Sequence, residues 1–158
     1  MSTDVKVEKK PATKRKAKIA RLHHVTLRVP DLDKAVAQWT NTFGEPPERY
    51  DLKEEWGYKM AFFNAGNCYI VLFQDFGHVS INETHDRVMK VSGPTDYGFF
   101  HMAFHTEDID TMVKEMGEAG VNVWDKKPQV EGYGGSRYSW LDPKDTADTL
   151  VHLYEAKW

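Results

Sequence analysis

The chain has 158 residues, 41% of them hydrophobic and 28% charged, with a formal net charge of −3. That size and balance fit one soluble domain with a sizeable core. The apolar runs are too short for a transmembrane helix or a signal-peptide core, and the single Cys68 allows no internal disulfide, which fits a cytoplasmic setting.

Charge is unevenly spread. Residues 1–18 hold seven Lys or Arg against two acids, a surplus of +5 that leaves −8 for the remainder. Residues 1–19 offer almost nothing to bury and read as a disordered basic tail. The acidic remainder predicts no nucleic-acid partner, and no segment predicts a membrane one.

A first strand is expected over Leu22 to Val29. Val25, Leu27 and Val29 form its apolar face, His24, Thr26 and Arg28 point the other way, and His23 falls on the core side. Pro30 ends it. Asp31 can cap a helix whose buried face is Leu32, Ala35, Val36 and Trp39, stopped by Gly44-Glu45-Pro46-Pro47. Three strands follow, Glu48 to Lys53, Tyr58 to Phe63 and Tyr69 to Phe73, with a turn at Asn64 to Asn67. Cys68, at a strand start, reads as a small buried residue. The order is βαβββ. Residues 75–98 form a connector, with a short helix over Glu83 to Val91 broken by Ser92-Gly93-Pro94. His78 and His85 in this connector are expected at the surface or over a cavity.

The pattern then restarts. Phe99 to His105 is a strand with Phe100, Met102 and Phe104 on one face and His101, Ala103 and His105 on the other. Asp108 caps a helix carrying Ile109, Met112, Val113 and Met116, and Gly120 closes it. Strands are expected at Val121 to Trp124, Tyr138 to Leu141 and Thr149 to Tyr154, and Gly132 to Gly135 reads as a ligand cradle, a lid or a plain hairpin. LHHVTLRVPDLDKAVAQW and FFHMAFHTEDIDTMVKEM match in outline, which indicates an internal duplication. The fold class is therefore α+β, two tandem βαβββ modules (20–74 and 99–156) joined by the connector in one domain, 20–156.

Three histidines break the strand pattern in the same way. His24, His101 and His152 each sit mid-strand, opposite the apolar stripe, and such a set suggests a metal site. Three neutral imidazoles suit a divalent ion (Zn, Fe, Co, Ni or Mn) and leave open positions, the mark of a catalytic centre.

Together HHVTLRVPDLDKAV, GYKMAFFNAGNCYIVLF, GFFHMAFHTEDID and RYSWLDPKDTADTLVHLYE resemble the vicinal oxygen chelate superfamily. The likeness covers roughly residues 20–156 and is strongest to the branch of methylmalonyl-CoA epimerase and glyoxalase I. It implies a curved mixed sheet around a metal cavity, with ligands at four equivalent places, the first and last strand of each module. Those places fall at His24, Val71, His101 and His152. Val71 cannot bind metal, where the family has Glu or Gln, and His152 replaces the family's Glu. The resemblance also implies a small-molecule substrate and a homodimer. The expected cavity wall holds Thr26, Arg28, Tyr69, Val71, Phe73, Ala103, His105 and Leu150, with Tyr154 as a candidate acid–base group. The epimerases carry acids near positions equivalent to Glu54 and Glu55, which makes these candidate bases.

Three functions are compatible. The first is a metal-dependent isomerase or lyase acting beside a carbonyl on an oxo-acid, thioester or thiol adduct. The second is a non-haem Fe(II) dioxygenase cleaving an aromatic diol, with Tyr69, Tyr154 or His105 as acid–base group. The third is a small-molecule binding or resistance protein.

Overall fold

The computed structural model describes residues 14–77, 79–93, 97–130 and 135–157. His78 and the glycine loop at Gly132 to Gly134 lie outside the described residues.

The first module is β1 (Ile19–Arg28), α1 (Leu32–Phe43), β2 (Arg49–Lys53), β3 (Tyr58–Asn64) and β4 (Tyr69–Asp75). After α2 (Glu83–Ser92) come β5 (Gly98–Thr106), α3 (Ile109–Glu118), β6 (Gln129–Val130), β7 (Arg137–Trp140) and β8 (Val151–Glu155). β1 starts three residues earlier than the sequence suggests, and the backbone N–H groups of Lys16 and Ala17 donate to the Glu115 carboxylate. The strand expected at Val121 to Trp124 is a single bridge, Val123 to Leu141, and the outer strand is β6 instead.

The two module helices begin alike. Asp31 accepts the Lys34 N–H at 3.0 Å and Asp108 accepts the Thr111 N–H at 2.9 Å, each satisfying a donor that the first turn leaves without an intrahelical partner. Gly44 ends α1 in the left-handed conformation, φ 79°, which glycine adopts without Cβ strain.

All eight strands join in one curled half-barrel, ordered β2-β3-β4-β1-β5-β8-β7-β6. Each module contributes four strands, and β1 meets β5 antiparallel at the seam. α1 covers one half of the convex face over Leu32, Ala35, Ala61, Phe63 and Leu72. α3 covers the other half with Ile109, Met112, Val113 and Met116 against Leu141, Val151 and Leu153. The concave face is closed by the connector helix α2, whose Val88 packs with Phe73, Phe100, Trp140 and Leu150. Buried Asp125 ties this helix to the sheet: its carboxylate accepts from Thr84 Oγ1 at 2.6 Å and from the Trp140 N–H at 3.0 Å.

The register confirms the repeat. In the parallel pair β1–β4, Thr26 faces Val71, and in β5–β8, Ala103 faces His152. Thr26 lies two residues beyond His24 and Ala103 two beyond His101. Val71 and His152 are therefore equivalent places.

Two of the three register shifts at the seam alter the expected faces. Pairing runs from Leu22–Phe104 to His24–Ala103, leaving His23 as an extra residue on β1. It also passes from Thr26–His101 to Leu27–Phe99, leaving Phe100 extra on β5. A bulged residue breaks strict alternation and re-aims its side chain. Phe100 accordingly joins the concave cluster rather than the convex one of Met102 and Phe104. His23 likewise leaves the expected core side, and its ring stands 4.5 Å from that of Tyr154 and 6.0 Å from that of Tyr69.

Leu72 is fully buried beneath α1, whereas Leu52 on the edge strand is 57% exposed. Leu72→Ala is expected to lower unfolding free energy by about 2–5 kcal/mol, and Leu52→Ala by no more than about 0.5 kcal/mol. Urea denaturation of both variants checks the assignment, and equal effects would contradict it.

Candidate metal centre

β1, β5 and β8 lie side by side in the sheet, so a concave-facing residue from each converges on one point. The three are His24, His101 and His152, all buried. His24 Nε2 lies 3.2 Å from His101 Nε2 and 3.2 Å from His152 Nε2, and one ligand atom from each ring falls within 4.8 Å of the others. Thr26 Oγ1 stands 3.1 Å from His101 Nε2. Val71, at the fourth equivalent place, presents only methyl groups to the same cavity.

The triad fits a metal ion. Burial, then the neighbouring imidazoles, holds all three rings well below the ordinary histidine pKa. Each ring is thus neutral at pH 7, with a lone pair available. One proton on His24 Nε2 can satisfy only one of its two close Nε2 neighbours, whereas a cation is satisfied by all three. Two imidazole nitrogens bound to one ion at tetrahedral angles stand about 3.3 Å apart, close to the spacing seen.

The cavity beside the triad has a volume of about 160 Å³. β3 and β4 supply Tyr58, Met60, Phe62, Val71 and Phe73; β7 and β8 supply Tyr138, Trp140 and Tyr154; α2 supplies His85, Val88 and Met89. Among the described residues that line it there is no Asp, Glu, Lys or Arg. The Trp140 ring lies 4.4 Å from that of His152 and 5.0 Å from that of His101, forming the wall against which the triad rests.

Of the residues expected here, Thr26, Val71, Phe73 and Tyr154 line the cavity. Arg28 does not. Its guanidinium stacks over Phe100 at 4.2 Å and donates to Gly93 O and Ser92 Oγ, clamping the end of α2. Bulged Phe100 stands between Arg28 and the cavity beside the triad, and Arg28 and Leu150 line a neighbouring one. Ala103 is sealed between β1 and β8. Tyr69 and His105 sit behind the triad rather than on the wall, Tyr69 Oη bonding Glu48 and His105 Nδ1 lying 3.1 Å from Tyr154 O. Glu54 and Glu55 are exposed on a 3-10 turn, and only their neighbour Trp56 reaches the cavity. Cys68 is half-buried.

The wall residues missed in the sequence had a signal. Tyr58, Met60 and Phe62 alternate on β3, as Tyr138 and Trp140 do on β7. The α2 contribution had none, because a connector's docking face is not fixed by strand parity.

His152→Ala should abolish high-affinity Zn(II) or Co(II) binding, while His152→Glu should retain it; chelator competition measures both, and unchanged affinity in the alanine variant would refute the site. The same burial predicts a pH effect on the metal-free protein. His23 is lowered to about 3, first by burial and then by Arg21. Rings whose folded pKa lies below the unfolded value bind more protons when unfolded. Stability is then complete above about pH 6.5 and lost as pH falls below it. The urea midpoint should drop between about pH 7 and about pH 5; a flat midpoint would contradict the buried neutral rings.

Comparison with known proteins identifies the family and the fold. Residues 23–139 match the family profile of the glyoxalase/bleomycin resistance protein/dioxygenase superfamily. The ethylmalonyl-CoA/methylmalonyl-CoA epimerase of Cereibacter sphaeroides is 30% identical over 139 residues, spanning 85% of this chain and 97% of that protein. The mitochondrial methylmalonyl-CoA epimerase of Bos taurus is 29% identical over 139 residues, spanning 87% and 75%. The crystal structure of the Mycobacterium tuberculosis methylmalonyl-CoA epimerase superposes with a TM-score of 0.73 at 20% identity, covering 92% of this chain and 94% of that one. A Streptomyces coelicolor methylmalonyl-CoA epimerase variant bound to 2-nitronate-propionyl-CoA gives 0.70 at 25% identity, covering 89% and 100%. The chain belongs to the glyoxalase/bleomycin resistance protein/dioxygenase superfamily, and its fold is that of the vicinal oxygen chelate proteins.

Proposed function

We propose that this protein is a metal-dependent isomerase or lyase of the epimerase and glyoxalase type, acting on the carbon beside a carbonyl. The substrate class is a thioester, a small oxo-acid or a thiol adduct. The observation that carries the reading is the convergence of three buried, neutral imidazoles on the wall of a cavity. The epimerase relatives, one of them bound to a propionyl-CoA analogue, support the thioester as first choice.

His24, His101 and His152 would hold the ion. When bound, it supplies Lewis-acid polarisation of a substrate oxygen, undiminished by any ligand charge because all three ligands are neutral. The chain's own residues do the rest. Trp140, Tyr138 and Phe73 pack the substrate's apolar part and exclude water, and α2 roofs the site. A proton carrier must come from the wall. Tyr154 is the candidate, buried with its ring 5.8 Å from that of His152. Glu54 and Glu55 would have to move inward to act.

A second reading, a non-haem Fe(II) dioxygenase for an aromatic diol, is favoured by one observation. Val71 leaves the fourth place open beside an aromatic wall, whereas the all-histidine face departs from the two-His, one-carboxylate set usual for such iron centres. One experiment separates the two. Protein loaded in turn with Co(II), Zn(II) and Fe(II) is incubated in D₂O with short acyl-CoA thioesters, and in buffer with catechols. Deuterium at the α-carbon, lost by at least about 100-fold in His101→Ala, supports the isomerase. Oxygen uptake with Fe(II) and catechol, without exchange, overturns it.

A further inference from the structure

His23 is a fully buried histidine that the triad does not use, and it stands on the concave face only because β1 bulges there. Its Nδ1 lies 2.7 Å from Nδ1 of His24. Two nitrogens at that distance share a hydrogen bond, so one carries the proton and the other offers its lone pair. The two arrangements differ in consequence. If His23 carries the proton, neutral His24 bears its own on Nε2, aimed at His101 and His152. If His24 carries it on Nδ1, its Nε2 is a lone pair aimed at the same place.

We propose that His23 is the positioning residue of this centre. Its Nδ1 accepts the Nδ1 proton of His24 and so holds His24 in the tautomer whose Nε2 can bind a metal ion. The proposal rests on the reading of the triad as a metal centre. Neither ring changes charge; only the side of the shared proton is at issue. His23 is itself held by packing, its ring 4.5 Å from that of Tyr154 and 6.2 Å from that of His105. A ligating histidine ordinarily gives its second N–H to a carboxylate, carbonyl or water, which fixes its tautomer and ring orientation. Here a neutral imidazole takes that part.

The test uses Zn(II) alone as the probe. In the Zn-loaded wild type, two-dimensional NMR of ¹⁵N-labelled histidine should show His24 protonated at Nδ1 and His23 protonated at Nε2. A His23 ring protonated at Nδ1 overturns the proposal. By chelator competition, His23→Leu should bind Zn(II) about 10- to 100-fold more weakly, and His23→Gln, whose side-chain oxygen can accept the proton, should recover most of the loss. A structural role alone would not produce that rescue. Wild-type affinity in His23→Leu overturns His23 and leaves the metal centre standing. A wild type that binds no Zn(II) overturns both. Should His23→Leu not fold, the wild-type spectrum still decides.

Discussion

The histidine triad depends on the pairing of β1 with β5, the strands that join the two halves of the sheet. His24 and His101 stand on these two strands, and β4 and β8 flank them at equivalent registers. The seam also departs from regular pairing where the site needs it. The bulge at His23 places two adjacent histidines on the concave face, and the bulge at Phe100 walls off Arg28 from the cavity. A one-residue shift in a strand moves its side chains to the opposite face. The triad is thus a consequence of backbone register before it is one of side-chain chemistry.

The chemistry that follows is set by neutrality. Three imidazoles shielded from water, with no described carboxylate on the cavity wall, leave an ion's charge uncompensated by its ligands. On the proposed function, such a centre would favour a substrate that brings its own developing negative charge, as a reaction beside a carbonyl does. Val71 deepens the effect. Where its repeat equivalent His152 offers a lone pair, Val71 offers methyl groups, and the fourth place opens toward the aromatic wall.

Much of this was legible in the sequence because duplication is a local signal. Matching strands, matching Asp caps and His24 and His101 at matching offsets marked the fold class, and strand parity put His152 on the same face. Parity failed where the backbone did. The faces of His23 and Phe100 depend on bulges, which leave no mark in a hydrophobic pattern, and Arg28 left the wall because Phe100 entered it. Glu54 and Glu55 were drawn from a resemblance of neighbourhoods, whereas their exposure is decided by the 3-10 turn that sends Trp56 inward. The docking of α2 rests on contacts such as Thr84 with Asp125, 41 residues apart in sequence, which no local window contains.

His24, His101 and His152 are proposed to hold one metal ion together. X-ray absorption on protein loaded with one equivalent of Zn(II) tests it most directly. Three imidazole nitrogens at about 2.0–2.1 Å, completed by oxygen, are expected around the ion, with loss of that shell in His24→Ala. A shell with fewer than three imidazoles, or one unchanged by His24→Ala, would contradict it.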